Sequence, residues 1–458
     1  MSTNIIGMNY FNDEDCITAL ATPWAPSAVA VIRMSGKGSI TRAAALFSPG
    51  NLNEWKTNRI GRGVIRDRDG QDIDEVMAAV YRKPKSYTGQ DSVEFFCHGS
   101  LPVIESVLTE LKNQGFRDAL PGEFTLRAFL NGKKDLTESE AVNELIQAKT
   151  KRAGKYAFSR LNGDIRSIIE DNKKELIKIL GDVEIQLDYP EDEVAGGYPD
   201  LGELDTLKKR LARLAESYAA GRLYQEGSVI TIGGRTNAGK SSLFNRLLKE
   251  DRAIVSPEHG TTRDYLDAWI TVKGIPVRIV DTAGLRKGAG HIEIEGIRRS
   301  RELIAASDGI IYVLDAETGM TDEDREFLRQ HRDSSVLSVW NKVDRFAVDE
   351  TDSFTRISAV TGKGLEELEK KLAEMIMEGA GGSDPGGNPV IDSLRQKTLL
   401  DRAVLALERA GKGIEEEVSL DLLSLDLREA LDSLGEITGE VSSADVLEDI
   451  FSRFCVGK

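Results

Sequence analysis

The stretch from Gly234 to Ser241, GRTNAGKS, constrains the fold of this chain more than any other feature. It matches the pattern G-x-x-x-x-G-K-[ST] and lies between an apolar run, SVITI, and a helical pattern, SLFNRLLK. In this strand–loop–helix context, backbone N–H groups and a helix N-terminus bind phosphate. A chance match in a glycine-rich loop is the alternative until further motifs are found. The stretch predicts that Lys240 reaches the β- and γ-phosphates and that Ser241 ligates Mg²⁺.

Four further motifs follow in the order typical of GTPases. GTTRD supplies Thr262 as a second Mg²⁺ ligand, and DTAG supplies Asp281 to hold the metal through water and Gly284 to donate to the γ-phosphate. In NKVD, the carboxylate of Asp344 accepts from two N–H groups of guanine, and SAVTGKG lies against the O6 side of the base. These motifs predict a doubly wound, Ras-like GTPase domain, with the antiparallel hairpin YLDAWITVKGIPVRIV between the second and third motifs. The residues predicted to contact GTP are Asn237, Ala238, Gly239, Lys240, Ser241, Ser242, Thr262, Asp281, Thr282, Ala283, Gly284, Asn341, Lys342, Asp344, Ser358, Ala359 and Val360.

Two residues distinguish this nucleotide site from that of Ras-like GTPases. Leu285 follows DTAG, at the position where those GTPases carry the glutamine that orients water, so another group must position the nucleophile. Asn237 precedes the phosphate-binding lysine, and its side-chain oxygen is suited to K⁺, which would put positive charge on the β–γ bridge. The alternative for Asn237 is an amide that caps the loop, and spacing alone does not decide between the two.

The order of patterns predicts a multidomain α/β and α chain, and its 458 residues correspond to roughly three domains. Strands such as AVAVIRMSG and VMAAVYRKP with the helix LPVIESVLTELKNQGF form an α+β unit. Helical patterns flank the GTPase domain, one beginning at a capping box of Thr137 and Glu140, the other after the Gly/Pro-rich linker 378–392. We therefore expect a GTPase domain inserted into a split helical domain, rather than four separate domains. The predicted boundaries are 1–123, 124–222, 223–378 and 379–458.

The composition of the chain indicates in which compartment it works and which kinds of partner it binds. The net charge of −16 argues against a broad basic face for nucleic acid, although KTKRAGKYAFSR holds five basic residues and fits a solvated helix face or a local patch. The three cysteines suit neither a disulfide framework nor a CxxC zinc site. No apolar run approaches the ~18 residues of a membrane span, and no secretion signal is visible at the N-terminus. We expect a cytoplasmic protein without a membrane partner.

Nearly the whole chain resembles the tRNA-modification GTPase family called MnmE or TrmE. The resemblance rests on ATP…VIRMSG, SYTGQDSVEFFCHG, LPGEFTLRAFLNGKKDLTESEAVNELI, GRTNAGKSSL, GTTRD, DTAGLR and the terminal FCVGK, which has no generic GTPase role. It implies an N-terminal folate-binding domain through which a homodimer forms. It also implies a potassium-dependent GTPase that, with a flavoprotein (FAD) partner in a heterotetramer, installs a carboxymethylaminomethyl-type group on carbon 5 of wobble uridine in tRNA. The one-carbon unit would come from 5-formyl- or methylene-tetrahydrofolate, a choice that stays open.

The resemblance also implies roles for particular residues. Glu293 matches the glutamate that positions the attacking water, with Glu295 close enough to be the alternative, and Cys455 has a covalent or a structural role. The folate contacts would be Arg33, Glu94, Lys133 and Lys458. The K⁺ ligands would be Asn237, Ser256, Glu258 and Thr261, of which Ser256 and Thr261 also join the GTP site.

Two other classes of GTPase are alternatives to this family. A ribosome-assembly or signalling GTPase without chemistry on RNA usually carries a basic RNA-binding domain, whereas the flanking segments here are not basic and end in FCVGK. A membrane-linked ion-transport GTPase would need a spanning segment, which the sequence lacks.

Overall fold

The computed structural model describes residues 15–48, 51–188, 198–249, 267–281, 302–332, 334–348, 352–382 and 385–458. They form two compact units. The first unit comprises the described residues through Asn143 together with Gly435–Lys458, and the second comprises those within Glu144–Leu434. The two ends of the chain therefore fold together in the first unit. The four domain boundaries drawn from the sequence stay a prediction.

A seven-stranded sheet forms the centre of the first unit, in the order β3-β4-β5-β6-β2-β1-β7. Its neighbouring strands are antiparallel except for the parallel pair β1 and β7. Alternating residues face the core, so Ile32 and Met34 are buried while Arg33 between them is partly exposed. The strands are β1 Cys16–Leu20, β2 Ser27–Ser35, β3 Phe47–Ser48, β4 Arg59–Arg66, β5 Asp72–Tyr81, β6 Ser92–Gly99 and β7 Phe116–Asp118.

Helices of the first unit come from both ends of the chain. The helix predicted for LPVIESVLTELKNQGF is confirmed over Leu101–Asn113, which is α2; Gln114 and Gly115 follow it as a turn, and Phe116 begins β7. The last helix of the chain packs its Leu447 and Phe451 against Leu126 and Leu136, in a cluster that Phe454 completes. The helices are α1 Ser39–Ala44, a 3-10 turn Leu52–Glu54, α2 Leu101–Asn113, α3 Glu123–Leu130, α4 Leu136–Gln147 and, at the C-terminus, α14 Ala444–Ser452.

Helix α4 begins with a different cap from the one predicted. The Asp135 carboxylate accepts from the Glu138 backbone N–H at 2.7 Å, and the Glu138 carboxylate accepts from the Asp135 N–H at 2.8 Å. This reciprocal pair is a capping box. Thr137 lies inside the helix, fully buried, and its hydroxyl donates to Asp135. The prediction of Thr137 with Glu140 as the capping box was therefore wrong by two residues.

The second unit contains a six-stranded sheet in the order β13-β12-β11-β8-β10-β9. All neighbouring strands are parallel except the hairpin β9–β10, which confirms the predicted antiparallel hairpin. Phosphate-binding loops of doubly wound sheets lie at the carboxyl ends of such parallel strands. The strands are β8 Ser228–Gly234, β9 Asp267–Val272, β10 Ile275–Asp281, β11 Gly309–Asp315, β12 Val336–Asn341 and β13 Thr355–Arg356.

Helical segments before and after this sheet pack on each other within the second unit. A Cβ at Gly411 of α12 would lie 3.6 Å from Leu201 Cδ1 of α7, so the two helices approach closely. The helices are α5 Lys151–Leu161, α6 Asp164–Asp188, α7 Leu201–Glu216, α8 Tyr218–Glu226, α9 Lys240–Lys249, α10 Asp322–Gln330, α11 Leu365–Gly379, α12 Leu394–Glu415 and α13 Leu420–Thr438, which continues into the first unit.

The basic segment KTKRAGKYAFSR is largely a packing element. Arg160 is 2% exposed and donates to Glu144 at 2.7 Å, to the Val390 carbonyl at 3.1 Å and to Asp392 at 2.6 Å. Lys149 lies over the Trp269 ring and Arg152 over a tyrosine. The reading as a solvated helix face is thus wrong for Arg160, which joins segments more than 200 positions apart.

Within the described residues, no helix is both long enough and apolar enough to cross a bilayer.

Candidate functional site

The phosphate-binding loop of the second unit runs from the end of β8 to the start of α9. Gly234, Asn237 and Gly239 have φ angles of 133°, 66° and 96°, which are left-handed conformations that turn the loop back on itself. A Cβ at Gly234 would lie 2.3 Å from the Val313 carbonyl oxygen, so only glycine fits there. The loop therefore encloses the start of the helix, where N–H groups are free to bind an anion.

Lys240 is the first residue of α9 and is 7% exposed. Its Nζ donates to the carbonyl oxygens of Gly234 at 2.8 Å and Arg235 at 2.7 Å. These carbonyls hold the ammonium group within the curve of the loop. A cation so fixed provides charge for phosphate without needing to order a flexible side chain.

Two candidate Mg²⁺-binding oxygens are adjacent. The Ser241 hydroxyl at the start of α9 donates to Asp281 Oδ2 at the end of β10, at a distance of 2.9 Å. A hydroxyl and a carboxylate are hard oxygen donors, which suit Mg²⁺ either directly or through its water shell. The geometry therefore fits the ligand predicted at Ser241.

Asn341 connects the phosphate loop to the loop predicted to contact the base. Its Nδ2 donates to the Ala238 carbonyl at 2.9 Å, and its Oδ1 accepts from the Ala359 N–H at 3.0 Å. A Cβ at Gly239 would lie 2.1 Å from Asn341 Nδ2, so this glycine is required for the close approach. The buried amide thereby holds two nucleotide-site loops in a fixed relation.

The remaining residues of the base-side motifs surround Asn341. Lys342 has a φ of 70° and its Nζ donates to Asp315 at 2.7 Å; this hydrogen bond raises the pKa of Lys342. Asp344 is exposed, so its carboxylate is accessible to a base. Ser358 is buried and its hydroxyl accepts from the Thr361 N–H at 3.1 Å, while Val360 is 76% exposed.

Several predicted site residues lie outside the described residues. They are Ser256, Glu258, Thr261, Thr262, Thr282, Ala283, Gly284 and Glu293, together with the alternative Glu295.

A second site lies in the first unit around Arg33, Glu94 and Lys458, three of the four residues that the family resemblance assigns to folate. Arg33 on β2 and Glu94 on β6 are register partners, and Arg33 Nε donates to Glu94 Oε1 at 2.7 Å. A cavity of about 290 Å³ opens beside them, lined by Arg33, Met34, Tyr81, Tyr87, Thr88, Ser92, Glu94 and Phe124.

The last residues of the chain reach this cavity. Arg33 Nη1 donates to the Gly457 carbonyl at 3.2 Å, and the Lys458 carbonyl accepts from the Phe124 N–H at 3.1 Å. Burial lowers the pKa of the Lys458 ammonium, and the nearby Arg33 charge lowers it further. Lys133 is not a lining residue; its Cγ would lie 3.3 Å from a Cβ at Gly89, the residue next to the lining residue Thr88. The lining itself contains one cation, Arg33, paired with one carboxylate, Glu94.

Sequence reasoning missed six of the eight lining residues, among them Tyr81, Tyr87 and Thr88. Tyr81 on β5 pairs with Ser92 on β6. Ser92 and Glu94 are two positions apart on β6, so they lie on the same face of the sheet as Tyr81. Burial, and then the charge of Glu94, raise the pKa of the Tyr81 hydroxyl. Strand alternation could have revealed Tyr81 once the pairing of β5 with β6 was known.

The three cysteines differ in access. Cys16 and Cys97 are buried, and burial raises the pKa of Cys16 and that of Cys97, the latter to about 12. Cys455 is exposed, and its carbonyl accepts from the Lys458 N–H at 3.3 Å in the turn that ends the chain. Cys455 is thus the accessible thiol next to the second site.

Two protein-family models match the chain, one at the N-terminal segment and one over the rest. The model described as MnmE helical domain matches residues 136–455, and the model described as GTP-binding protein TrmE N-terminus matches residues 16–133.

Curated relatives match at nearly full length. The tRNA modification GTPase MnmE of Treponema denticola is 41% identical over 97% of this chain and 98% of the relative. The proteins of the same name from Borrelia recurrentis and Aquifex aeolicus are 42% and 39% identical, over 98% and 96% of this chain and 99% of each relative.

Proposed function

Because this chain belongs to the MnmE family of tRNA modification GTPases, we propose that it hydrolyses GTP and takes part in modifying carbon 5 of wobble uridine in tRNA. The observation that carries the proposal is that hydrogen bonds hold the residues of the nucleotide-binding motifs together in one site. Lys240 is fixed inside its loop, Ser241 meets Asp281, and Asn341 ties the phosphate loop to the base-side loop.

The residues of the phosphate loop have distinct roles in hydrolysis. Lys240 contacts the β- and γ-phosphates, and the N–H groups of the loop and of α9 bind the β-phosphate. Ser241 and Thr262 hold Mg²⁺, with Asp281 orienting its water shell. The bound ion neutralises charge that develops on the phosphates. Gly284 donates to the γ-phosphate.

Guanine is selected by Asp344, whose carboxylate accepts from the ring N–H and the exocyclic amine. Adenine presents no such pair of donors, so it leaves the carboxylate unsatisfied. The exposure of Asp344 and the anchoring of its neighbour Lys342 on Asp315 support this role. Ala359 and Val360 lie on the O6 side of the base.

Hydrolysis depends on K⁺ and on a glutamate. Asn237 holds K⁺ with Ser256, Glu258 and Thr261. The support for this role is the φ angle of 66° at Asn237, a left-handed backbone conformation that is uncommon for a residue other than glycine and that is often found at functional sites. Glu293 positions the attacking water in place of the glutamine that Leu285 replaces.

The cavity of the first unit binds a tetrahydrofolate one-carbon carrier. Glu94 pairs with the pterin amine and ring N–H, while the cations Arg33, Lys133 and Lys458 attract the anionic tail. The Gly457–Arg33 hydrogen bond supports a role for the C-terminus in this site, with Cys455 beside the carrier. The chain acts as a cytoplasmic homodimer together with an FAD-dependent partner protein.

Two substitutions test the GTPase assignment. Asp344→Asn should lose GTP binding and gain binding of xanthosine triphosphate, because the donor and acceptor pattern is inverted. Lys240→Ala should abolish turnover. Both are measured by nucleotide titration and phosphate release, with Lys249→Ala at the far end of α9 as the matched control. Unchanged GTP affinity of Asp344→Asn, or turnover retained by Lys240→Ala, would refute the nucleotide site.

A further inference from the structure

A second cavity of the first unit, of about 550 Å³, is formed by the segments 53–57 and 82–85. Arg82 fastens the two segments, since its Nε donates to the Trp55 carbonyl at 2.9 Å and its N–H donates to the Thr57 hydroxyl at 3.1 Å. Trp55 is buried and packs edge-on against Phe47, with ring centroids 5.7 Å apart. The cavity, called the cationic groove below, therefore lies against the hydrophobic core of the first unit.

The lining of the cationic groove is strongly positive. Lys56, Lys83 and Lys85 line it and are exposed, and within the described residues none of their ammonium groups has an ion-pair or hydrogen-bond partner. The lining carboxylate, Glu54, accepts from Asn51 at 2.6 Å. Since the chain as a whole carries a net charge of −16, such a concentration of unpaired cations favours an anionic ligand.

One loop connects the cationic groove to the cavity beside Arg33. Tyr81, Tyr87 and Thr88 line that cavity, whereas the residues between them, 82–85, line the groove. From Tyr81 to Lys85 the chain spans at most about 14 Å. The loop is held in place, because the Lys83 N–H donates to the Asp91 carboxylate at 3.0 Å. The same loop therefore contributes residues to both cavities.

We propose that the cationic groove binds the oligoglutamate tail of the tetrahydrofolate carrier, an inference that rests on the carrier site of the proposed function. Each γ-linked glutamate adds one carboxylate and no cation. Lysines are point charges on flexible stems, so Lys56, Lys83 and Lys85 accommodate carboxylates at varying positions.

The alternative polyanion, the phosphate backbone of RNA, fits the cationic groove less well. Single-stranded RNA is commonly bound by stacking bases on exposed aromatic rings. The aromatic residue of the groove, Trp55, is buried, and the Arg59 guanidinium covers its ring at 4.7 Å from the centroid. The groove thus offers charges without a stacking surface.

The experiment compares mono- and triglutamate forms of 5-formyl-tetrahydrofolate, titrated onto the full chain at low and high ionic strength. An exposed ion pair changes an equilibrium constant by about 1.4- to 5-fold, so two added carboxylates lower the Kd by about 2- to 30-fold. High salt should reduce this ratio. In the double variant Lys83→Gln/Lys85→Gln the ratio should fall toward one. Lys112→Gln, an exposed lysine of the same unit that pairs with Asp118, is the control and should keep it.

Three results would overturn the inference. Equal Kd values for the two carriers on the unaltered chain would show that the groove does not bind the tail. The same conclusion would follow if the double variant kept the ratio of the two Kd values. Weakened tRNA binding by the double variant without any dependence on tail length would assign the groove to RNA. If neither carrier binds the unaltered chain, the carrier site itself fails and this inference with it, which differs from equal binding of both.

Discussion

Removing the last three residues, 456–458, should weaken carrier binding while leaving GTP turnover intact. The truncation deletes the hydrogen bond of the terminal turn, from the Lys458 N–H to the Cys455 carbonyl, and two that join the C-terminus to the rest of the first unit, from Arg33 to the Gly457 carbonyl and from the Phe124 N–H to the Lys458 carbonyl. It also removes the ammonium group of Lys458. Arg33 would lose one of its two hydrogen-bond partners and keep the other, Glu94.

The magnitude follows from these contacts. A hydrogen bond to a charged group contributes about 1.5–3 kcal/mol and a neutral one about 0.5–1.5 kcal/mol. Because water replaces part of both in the truncated chain, we expect a loss of about 1–2 kcal/mol in carrier binding, which is about a 5- to 30-fold higher Kd.

Deleting all of FCVGK would not be as informative. Phe454 is 6% exposed and packs against Phe451, with ring centroids 5.3 Å apart. Replacing such a side chain by alanine lowers the free energy of unfolding by about 3–5 kcal/mol. A five-residue deletion would therefore mix loss of the core with loss of the site, whereas the three-residue truncation keeps Phe454.

The assay is titration of tetrahydrofolate by calorimetry, with GTP turnover and thermal unfolding measured on the same sample. Arg453→Ala is the matched control, since this exposed arginine pairs with Asp449 one turn earlier on α14 and does not line the carrier cavity. A truncated chain that binds the carrier as tightly as the control would show that the C-terminus is no part of the site.

Three further outcomes are expected. Asn341→Ala should lower the free energy of unfolding by about 2–4 kcal/mol in chemical denaturation, because it leaves two buried backbone groups unpaired; a loss below about 0.5 kcal/mol would contradict this. GTP turnover should be faster in K⁺ than in Na⁺ at equal ionic strength, and Asn237→Ala should erase the difference, whereas equal rates would leave this residue a loop cap. Glu293→Ala should slow turnover roughly 10²–10⁴-fold with nucleotide affinity intact; the same defect in Glu295→Ala instead would shift the assignment by two residues.

The nucleotide site could be predicted from sequence because its motifs are local. Strand, loop and helix are contiguous around Lys240, and the left-handed positions coincide with glycines except at Asn237. The role of Asn341 was only partly predictable. Its motif indicated a GTP contact, but the hydrogen bonds to Ala238 and Ala359 join segments that are distant in sequence.

Errors arose where tertiary contacts decide between equivalent patterns. Both Asp135 with Glu138 and Thr137 with Glu140 have capping-box spacing, and burial of Thr137 within the fold selects the former. Arg160 pairs with Glu144 and with Asp392, which lie 16 and 232 positions away in the sequence. Pairings of this kind depend on how distant segments meet, which periodicity does not encode.

The cavity beside Arg33 contains two charged residues, Arg33 and Glu94, that the family resemblance singled out, whereas its other lining residues were not singled out. The closeness of Arg33 and Glu94 follows from the register of β2 and β6, which the sequence does not specify. The hydrogen bond from Arg33 to the Gly457 carbonyl brings the end of the chain to this cavity across 424 positions of sequence, which no local pattern encodes.

The most direct test of the proposed function is mass analysis of tRNA nucleosides from cells that lack the native protein and carry either the unaltered chain, Lys240→Ala or the chain truncated after Cys455. We predict that the unaltered chain restores the C5 modification of wobble uridine, that Lys240→Ala does not because GTP turnover is lost, and that the truncated chain restores little despite normal GTP turnover. Full modification by Lys240→Ala, or none by the unaltered chain, would contradict a GTPase that serves tRNA modification.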